Sequence, residues 1–181
     1  MEKITHYEKT LTSEVLFEGR VITLTKDTAL LENGKTAERE VVHHHGGACI
    51  VPYFADGTIC MVRQFRYAMQ QELWELPAGK LEKGEDPRDS GLRELREETG
   101  AIAESWTPLG SLIASPGCYD EVLYLYLARD LTFGAQHPDE DEFLNVERIP
   151  FDELLRRCLQ NEVQDAKTVA AALKAKLLFG L

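Results

Sequence analysis

Gly79-Lys80-Leu81-Glu82-Lys83-Gly84-Glu85-Asp86-Pro87-Arg88-Asp89-Ser90-Gly91-Leu92-Arg93-Glu94-Leu95-Arg96-Glu97-Glu98-Thr99-Gly100 is the stretch on which the fold turns. Asp86 before Pro87 reads as an N-cap with proline at the first helical position, and Gly100 reads as the stop. On the helix so predicted, Glu94, Glu97 and Glu98 stand at i, i+3 and i+4 and share one face. Like charges one turn apart cost a few tenths of a kcal/mol in an exposed helix, and more where the face is shielded from water. Three converging carboxylates suit a hard divalent cation such as Mg²⁺, which takes oxygen ligands and keeps waters and substrate phosphates. Arg93, one turn before Glu97, can pair with it and fix its direction. An acidic cluster alone is more often a solvated helix face. Here Gly79, in a tight loop that lets backbone carbonyls approach a cation, and Glu85, just ahead of the helix, favour the metal.

Upstream, residues 1–46 read as a small antiparallel β subdomain. Val15-Leu16-Phe17 and Val21–Leu24 are strand-like around a Glu18-Gly19 turn, and Asn33-Gly34 joins Thr28–Leu31 to Glu38–Val42 as a hairpin. So few strands with so little apolar mass make a poor independent core. Residues 47–181 read as the main domain. Ala48–Tyr53, an Asp56-Gly57 turn and Ile59–Arg66 suggest a buried hairpin, and Trp74–Pro77 a short extended piece stopped by Pro77-Ala78-Gly79. Later strands are expected at Gly110–Ala114, Val122–Ala128 and Phe143–Ile149. Helices are expected at Phe151–Leu159 and from an Asp165 cap through Leu177. The fold class is α/β, a mixed sheet flanked by helices.

Composition bounds the partners. The 181 residues can bury about two-thirds of their unfolded surface, so folding needs no staple. Asp and Glu number 31 against 20 Lys and Arg, a formal charge of −11, which argues against nucleic acid or an anionic membrane as partner. An anionic ligand would need local positive charge, and bound metal could supply it. Cys49, Cys60, Cys118 and Cys158 are widely spaced and the N-terminus lacks an apolar leader, so reduced thiols and a cytoplasmic location are expected. His43-His44-His45 could suggest metal or a tag; mid-chain after a strand-like run, it reads as an accident of sequence. Trp74 and Trp106 read as core or interface residues rather than adenine stackers.

Gly79, Glu85, Arg93-Glu94-Leu95, Glu97-Glu98 and Gly100 match the pattern G-x5-E-x7-R-E-U-x-E-E-x-G-U at every spacing, and so resemble the Nudix box. Two departures stand out. Ala101 occupies the position of a bulky aliphatic residue, and Gly91, where the family commonly has Ala, weakens the helix by up to ~1 kcal/mol. The resemblance implies a Nudix α/β/α sandwich preceded by the N-terminal β subdomain, binding Mg²⁺ or Mn²⁺ and cleaving a nucleoside diphosphate linked to another group. The flanks resemble the ADP-ribose (ADP-sugar) pyrophosphatase branch: Ser115-Pro116-Gly117 with Glu121, VRQFR (Val62–Arg66), ELPAGKLEKGE (Glu75–Glu85), DEDEF (Asp139–Phe143), DAKT (Asp165–Thr168) and EGRVITL (Glu18–Leu24).

Residue by residue, that likeness implies Glu94 and Glu98 as principal metal ligands, Glu97 as ligand or close support, and the Ala78 carbonyl completing a site for two or three ions. Arg93 belongs to the catalytic set. Arg66 matches an arginine on substrate phosphate, Arg39 in the Arg39-Glu40 pair one near the nucleoside, and Leu81 falls within the substrate-binding motif. Ser115, Pro116, Gly117 and Glu121 match the terminal-ribose side. Glu140 and Glu142 match a loop supplying a catalytic base and a further metal ligand, with Glu142 slightly favoured as base. The reaction implied is hydrolysis of ADP-ribose or a related nucleotide sugar to AMP and ribose 5-phosphate. The alternatives are GDP-mannose or another nucleotide sugar, or a nucleotide-sensing module without turnover; the complete glutamate set favours catalysis. Likeness also implies a homodimer in which the β subdomain packs across the partner.

Overall fold

The Asn33-Gly34 pair turns the chain between two strands, with Gly34 at φ +79° and its amide donating to the Leu31 carbonyl at 3.0 Å. A positive φ carries no steric cost for glycine, which is why this dipeptide marks the turn. The computed structural model describes residues 6–136 and 143–181. Around the turn, β1 (Lys9–Glu18), β2 (Thr23–Leu30) and β3 (Thr36–His43) form an antiparallel sheet in the order β1-β2-β3. Every residue of β1 is exposed, including Leu11, Val15, Leu16 and Phe17, while β2 buries only Thr25 and Ala29. This sheet belongs to a first compact unit, Met1–His45 with Ile113–Glu121. Within that unit the Val42 amide donates to Cys118 O (2.8 Å) and the Asp120 amide to Val42 O (3.1 Å).

The second unit, Gly46–Leu112 with Val122–Leu181, holds the main core. One sheet has the order β7-β4-β9-β8, from β7 (Ala78–Lys80), β4 (Gly47–Pro52), β9 (Val122–Phe133) and β8 (Ala101–Ile113). Strand β4 runs parallel to β9 and antiparallel to β7. A second, antiparallel sheet has the order β10-β5-β6, from β10 (Leu144–Pro150), β5 (Thr58–Arg66) and β6 (Gln71–Glu75).

The helices α1 (Pro87–Thr99), α2 (Phe151–Leu159) and α3 (Ala166–Phe179) complete this unit. All of β4 is buried, and its alternating side chains serve two cores. Cys49 and Val51 join Ile59, Met61, Leu125, Leu127, Leu154, Ala171 and Ala175; Ile50 joins Leu95 of α1 with Ala101, Ala103 and Ala128. Helix α1 thus covers one face of β4 and α3 the other, the α/β/α arrangement expected.

The hairpin expected from Ala48–Tyr53 and Ile59–Arg66 is corrected. Its turn forms, with the Phe54 amide donating to Thr58 O (2.8 Å), but only a Tyr53–Ile59 bridge joins the two segments and β4 and β5 enter different sheets. The long parallel pairing with β9 claims β4 instead, and the Tyr53 amide continues that ladder to Ala128 O at 2.9 Å. Pro77-Ala78-Gly79 likewise does not end the extended chain, since Ala78–Lys80 is the edge strand beside β4. All four cysteines are free thiols. No helix among the described residues is long and apolar enough to cross a membrane.

Candidate active site on the inner face of the acidic helix

Helix α1 is closed at both ends by the residues that predict it. The Asp86 carboxylate accepts from the Arg88 amide, and Gly100, at φ +71°, donates its amide to Arg96 O. Its buried residues are Ser90, Gly91, Glu94, Leu95, Glu98 and Thr99, a stripe at helical spacing. Two glutamates therefore lie on the face that packs into the protein, with Glu94 8% and Glu98 2% exposed. Burying a carboxylate is costly unless it is paired or ligates a cation. Each is supported by the segment Ala78-Gly79. A methyl group on Gly79 would stand 1.8 Å from Glu94 Cδ, so the space over that glycine belongs to the carboxylate. The Ala78 amide donates to Glu98 Oε2 at 3.0 Å.

Arg93 ties the cluster together. Its Nε and Nη2 donate to the two oxygens of Glu85 (3.1 Å each), and Nη1 to Glu94 Oε1 (2.8 Å) and Glu97 Oε2 (3.0 Å). The guanidinium pKa is driven up, first by the Glu85 hydrogen bond, and the same bond holds the Glu85 carboxyl below its ordinary value. Arg93 thus does more than the pairing with Glu97 expected of it, because the turn at Glu82–Glu85 brings Glu85 back to the helix.

No three His, Cys, Asp or Glu side chains among the described residues form a ready-made cage, since Glu94 and Glu97 both point to Arg93. The donor set nevertheless fits Mg²⁺ or Mn²⁺: all oxygen, two buried carboxylates one turn apart, with Glu94 seated in the space left by the missing Cβ of Gly79. Leu81, beside this turn, is buried, its amide donating to Gly46 O at 3.0 Å.

A second polar cluster centres on Glu75, only 2% exposed. Arg66 grips it with Nε (2.6 Å) and Nη2 (2.8 Å), and Lys167 Nζ reaches the same Oε2. Burial pushes the Glu75 carboxyl up, but the hydrogen bond from Arg66 and the charges of Lys167 and Arg66 outweigh it, and its pKa lies below the ordinary value.

Arg39, Glu40, Ser115, Pro116, Gly117 and Glu121 lie in the first unit. Arg39, on β3, forms a bidentate pair with Glu8 (2.9 and 2.6 Å), and Glu40 follows it on the strand. Ser115, Pro116, Gly117 and Glu121 belong to the segment joined to β3. That segment is held by the histidine run: His43 Nδ1 pairs with Asp120 Oδ2 (2.6 Å), the His44 amide donates to Asp120 Oδ1 (2.8 Å), and His44 Nδ1 faces Glu121 Oε1 (3.4 Å). His43 and His44 of the run thus each face an acidic partner. Glu75 with Lys167, and His43 and His44 with Asp120 and Glu121, pair residues distant in sequence; the local signals are only the ELPAGKLEKGE and DAKT stretches and three histidines in a row, none of which names the partner. Glu140 and Glu142 lie outside the described residues. Trp106 packs edge-on to Tyr126 (5.9 Å) beside the α1 core, and Trp74 lies under Arg63 and Arg157.

Comparison with known proteins agrees with this geometry. Residues 43–172 match the NUDIX domain model, and residues 8–42 match the nucleoside diphosphate sugar hydrolase N-terminal domain. The chain is 43% identical over 166 residues to the methanol dehydrogenase activator of Bacillus methanolicus, covering 91% of this chain and 90% of that protein. It is 41% identical, over the same shares, to the ADP-ribose pyrophosphatase of Bacillus subtilis (strain 168). A solved structure described as an ADP compounds hydrolase superposes with a TM-score of 0.85 over 99% of this chain and 97% of that one, at 22% identity, and so shares the fold. With a domain match over most of its length and the glutamates of the box buried on α1, the chain belongs to the Nudix hydrolase family.

Proposed function

We propose that the protein hydrolyses the diphosphate bond of ADP-ribose or a related nucleotide sugar, releasing AMP and ribose 5-phosphate in the case of ADP-ribose. The observation that carries this reading is the burial of Glu94 and Glu98 on the inner face of α1, against Gly79 and Ala78. The two Bacillus relatives are almost equally similar and are named for different things, so site chemistry rather than identity favours the pyrophosphatase.

Glu94 and Glu98 would hold Mg²⁺ or Mn²⁺, two or three ions, with Glu97 and the Ala78 carbonyl completing the set. When bound, the divalent ions neutralise the diphosphate and lower the pKa of a ligated water. Arg93 gathers Glu85, Glu94 and Glu97 beside α1, so that Glu94 and Glu97 need only turn from the guanidinium to the ion. Arg66 donates hydrogen bonds to a substrate phosphate, where a planar fork of donors matches the oxygens. Glu140 or Glu142, with Glu142 slightly favoured, orients or deprotonates the attacking water. Leu81 is proposed as a substrate neighbour, Arg39 and Glu40 as contacts for the nucleoside, and Ser115–Gly117 and Glu121 for the terminal ribose. The free cysteines fit a cytoplasmic location.

The test is a substrate panel with Mg²⁺ or Mn²⁺: ADP-ribose, GDP-mannose, ADP-glucose, NADH and diadenosine polyphosphates. The proposal expects the highest kcat/KM for an ADP-sugar. Preference for GDP-mannose would move the reading to another nucleotide sugar, and no turnover of any would favour a sensing module.

A further inference from the structure

Glu75 is among the most deeply buried charged side chains described, and the chemistry above gives it no task. Its partners come from three elements. Arg66 ends β5, Glu75 ends β6, and Lys167 lies in the first turn of α3. Glu75 Oε1 accepts from Arg66 Nε at 2.6 Å; Oε2 accepts from Arg66 Nη2 at 2.8 Å and also from Lys167 Nζ. Lys167 reaches Asp165 Oδ1 at 3.0 Å as well. The next residues in each segment are bolted together: the Leu76 amide donates to Thr168 Oγ1 (2.8 Å), and Thr168 Oγ1 donates to Asp165 Oδ2 (2.6 Å). The separation of Glu75 and Lys167 is thus set by a buried hydrogen-bond chain.

A guanidinium has five N–H donors in one plane. Glu75 takes the edge formed by Nε and Nη2, which leaves one hydrogen of Nη1 and one of Nη2 on the adjacent edge, the second Nη1 hydrogen lying on the side of the arginine's own Cδ. The Arg66 side chain is 39% exposed against 2% for Glu75, so the guanidinium carries its charge from the buried carboxylate towards solvent. Glu75 alone would cancel most of that charge. Lys167, although partly offset by its own pair with Asp165, shares Oε2 and so draws part of the carboxylate's charge away from the arginine. We propose that Glu75 and Lys167 are positioning residues for Arg66, Glu75 fixing the guanidinium plane and Lys167 preserving its positive charge for a diphosphate oxygen. This rests on Arg66 contacting substrate phosphate.

The test is a double-mutant cycle on ADP-ribose hydrolysis at saturating Mg²⁺, with thermal midpoints measured alongside. Arg66→Ala is expected to lower kcat/KM about a hundredfold, and Lys167→Gln about tenfold, mainly through KM. The double variant is expected to be no worse than Arg66→Ala, because a residue acting through another has no effect once that one is gone. Lys167→Arg, which keeps the cation, is expected to restore kcat/KM to within about threefold of wild type. Multiplying effects, or a Lys167→Gln enzyme equal to wild type, would overturn the positioning role while leaving Arg66 on the phosphate. A wild-type-like Arg66→Ala would instead overturn the phosphate assignment, and the pair with it. Should Lys167→Gln fail to fold, Glu75→Asp, which shortens the clamp by one methylene, replaces it in the same cycle with the same outcomes.

Discussion

Gly79 and Glu94 share one space: a methyl group on the glycine would lie 1.8 Å from the glutamate's carboxyl carbon. Edge strand β7 can approach α1 closely enough to shelter a carboxylate only because residue 79 has no side chain. Gly79→Ala is therefore expected to turn Glu94 out of its recess and weaken Mg²⁺ or Mn²⁺ binding roughly ten- to a hundredfold, the usual cost of disturbing a ligand's support. The fold should survive, because the group displaced is the end of a flexible side chain. Metal titration followed by activity checks this; unchanged metal affinity would show that Glu94 does not need the recess.

Gly91 has the opposite character. It sits in the interior of α1, where glycine costs up to ~1 kcal/mol relative to alanine. A Cβ there would meet Trp106 Cζ3 at 3.5 Å and Ala48 Cβ and Ile50 Cγ1 at 3.6 Å, ordinary contact distances. Gly91→Ala should raise the thermal midpoint by about 2–4 °C with activity retained, the shift expected of ~1 kcal/mol in a chain of this size. Calorimetry measures it directly, and a lowered midpoint would mean that α1 cannot accept even a methyl group on this face.

The Glu75 cluster predicts an acid-sensitive contribution to stability. Its folded pKa lies below the ordinary glutamate value, so between the two the unfolded chain binds more protons than the folded one. The contribution is fully present above the unfolded value and is lost as pH falls through the folded one. Urea midpoints of wild type and Glu75→Gln, followed from about pH 7 to about pH 3, should converge as the medium becomes acidic. A constant gap would contradict the depressed pKa.

Strand β1 predicts an assembly. All ten of its residues are exposed and its only described neighbour is β2, so one edge of a strand bearing Leu11, Val15, Leu16 and Phe17 is unpaired. Such an edge is a template for another chain. We infer a homodimer that covers it. The paired substitution Val15→Lys and Phe17→Lys should shift the sedimentation profile to monomer, whereas a wild-type monomer with full activity would refute the assembly.

These residues also show how far the sequence could be read. Signals confined to a few neighbours were legible: Asp86-Pro87 and Gly100 bound α1, Asn33-Gly34 turns β2 into β3, and Asp165 caps α3. The box spacing placed Glu94 and Glu98 on one helix face. What spacing alone could not say is that this face points inward, since that depends on β4 and β7 packing beneath it. Strand β4 leaving its neighbour β5 for β9, Arg66 finding Glu75 and Lys167, and His43 finding Asp120 are long-range choices made by burial and charge pairing, with no local code.

The central claim is that the buried pair Glu94 and Glu98 is a metal-binding catalytic centre. Its most direct test is the turnover of ADP-ribose by Glu98→Gln across a Mg²⁺ titration, beside wild type and with unfolding midpoints for both. The account predicts a kcat lower by orders of magnitude at every Mg²⁺ concentration, with a fold as stable as the parent's to within about 1–2 kcal/mol. Near-normal turnover of the variant at saturating Mg²⁺ would contradict it.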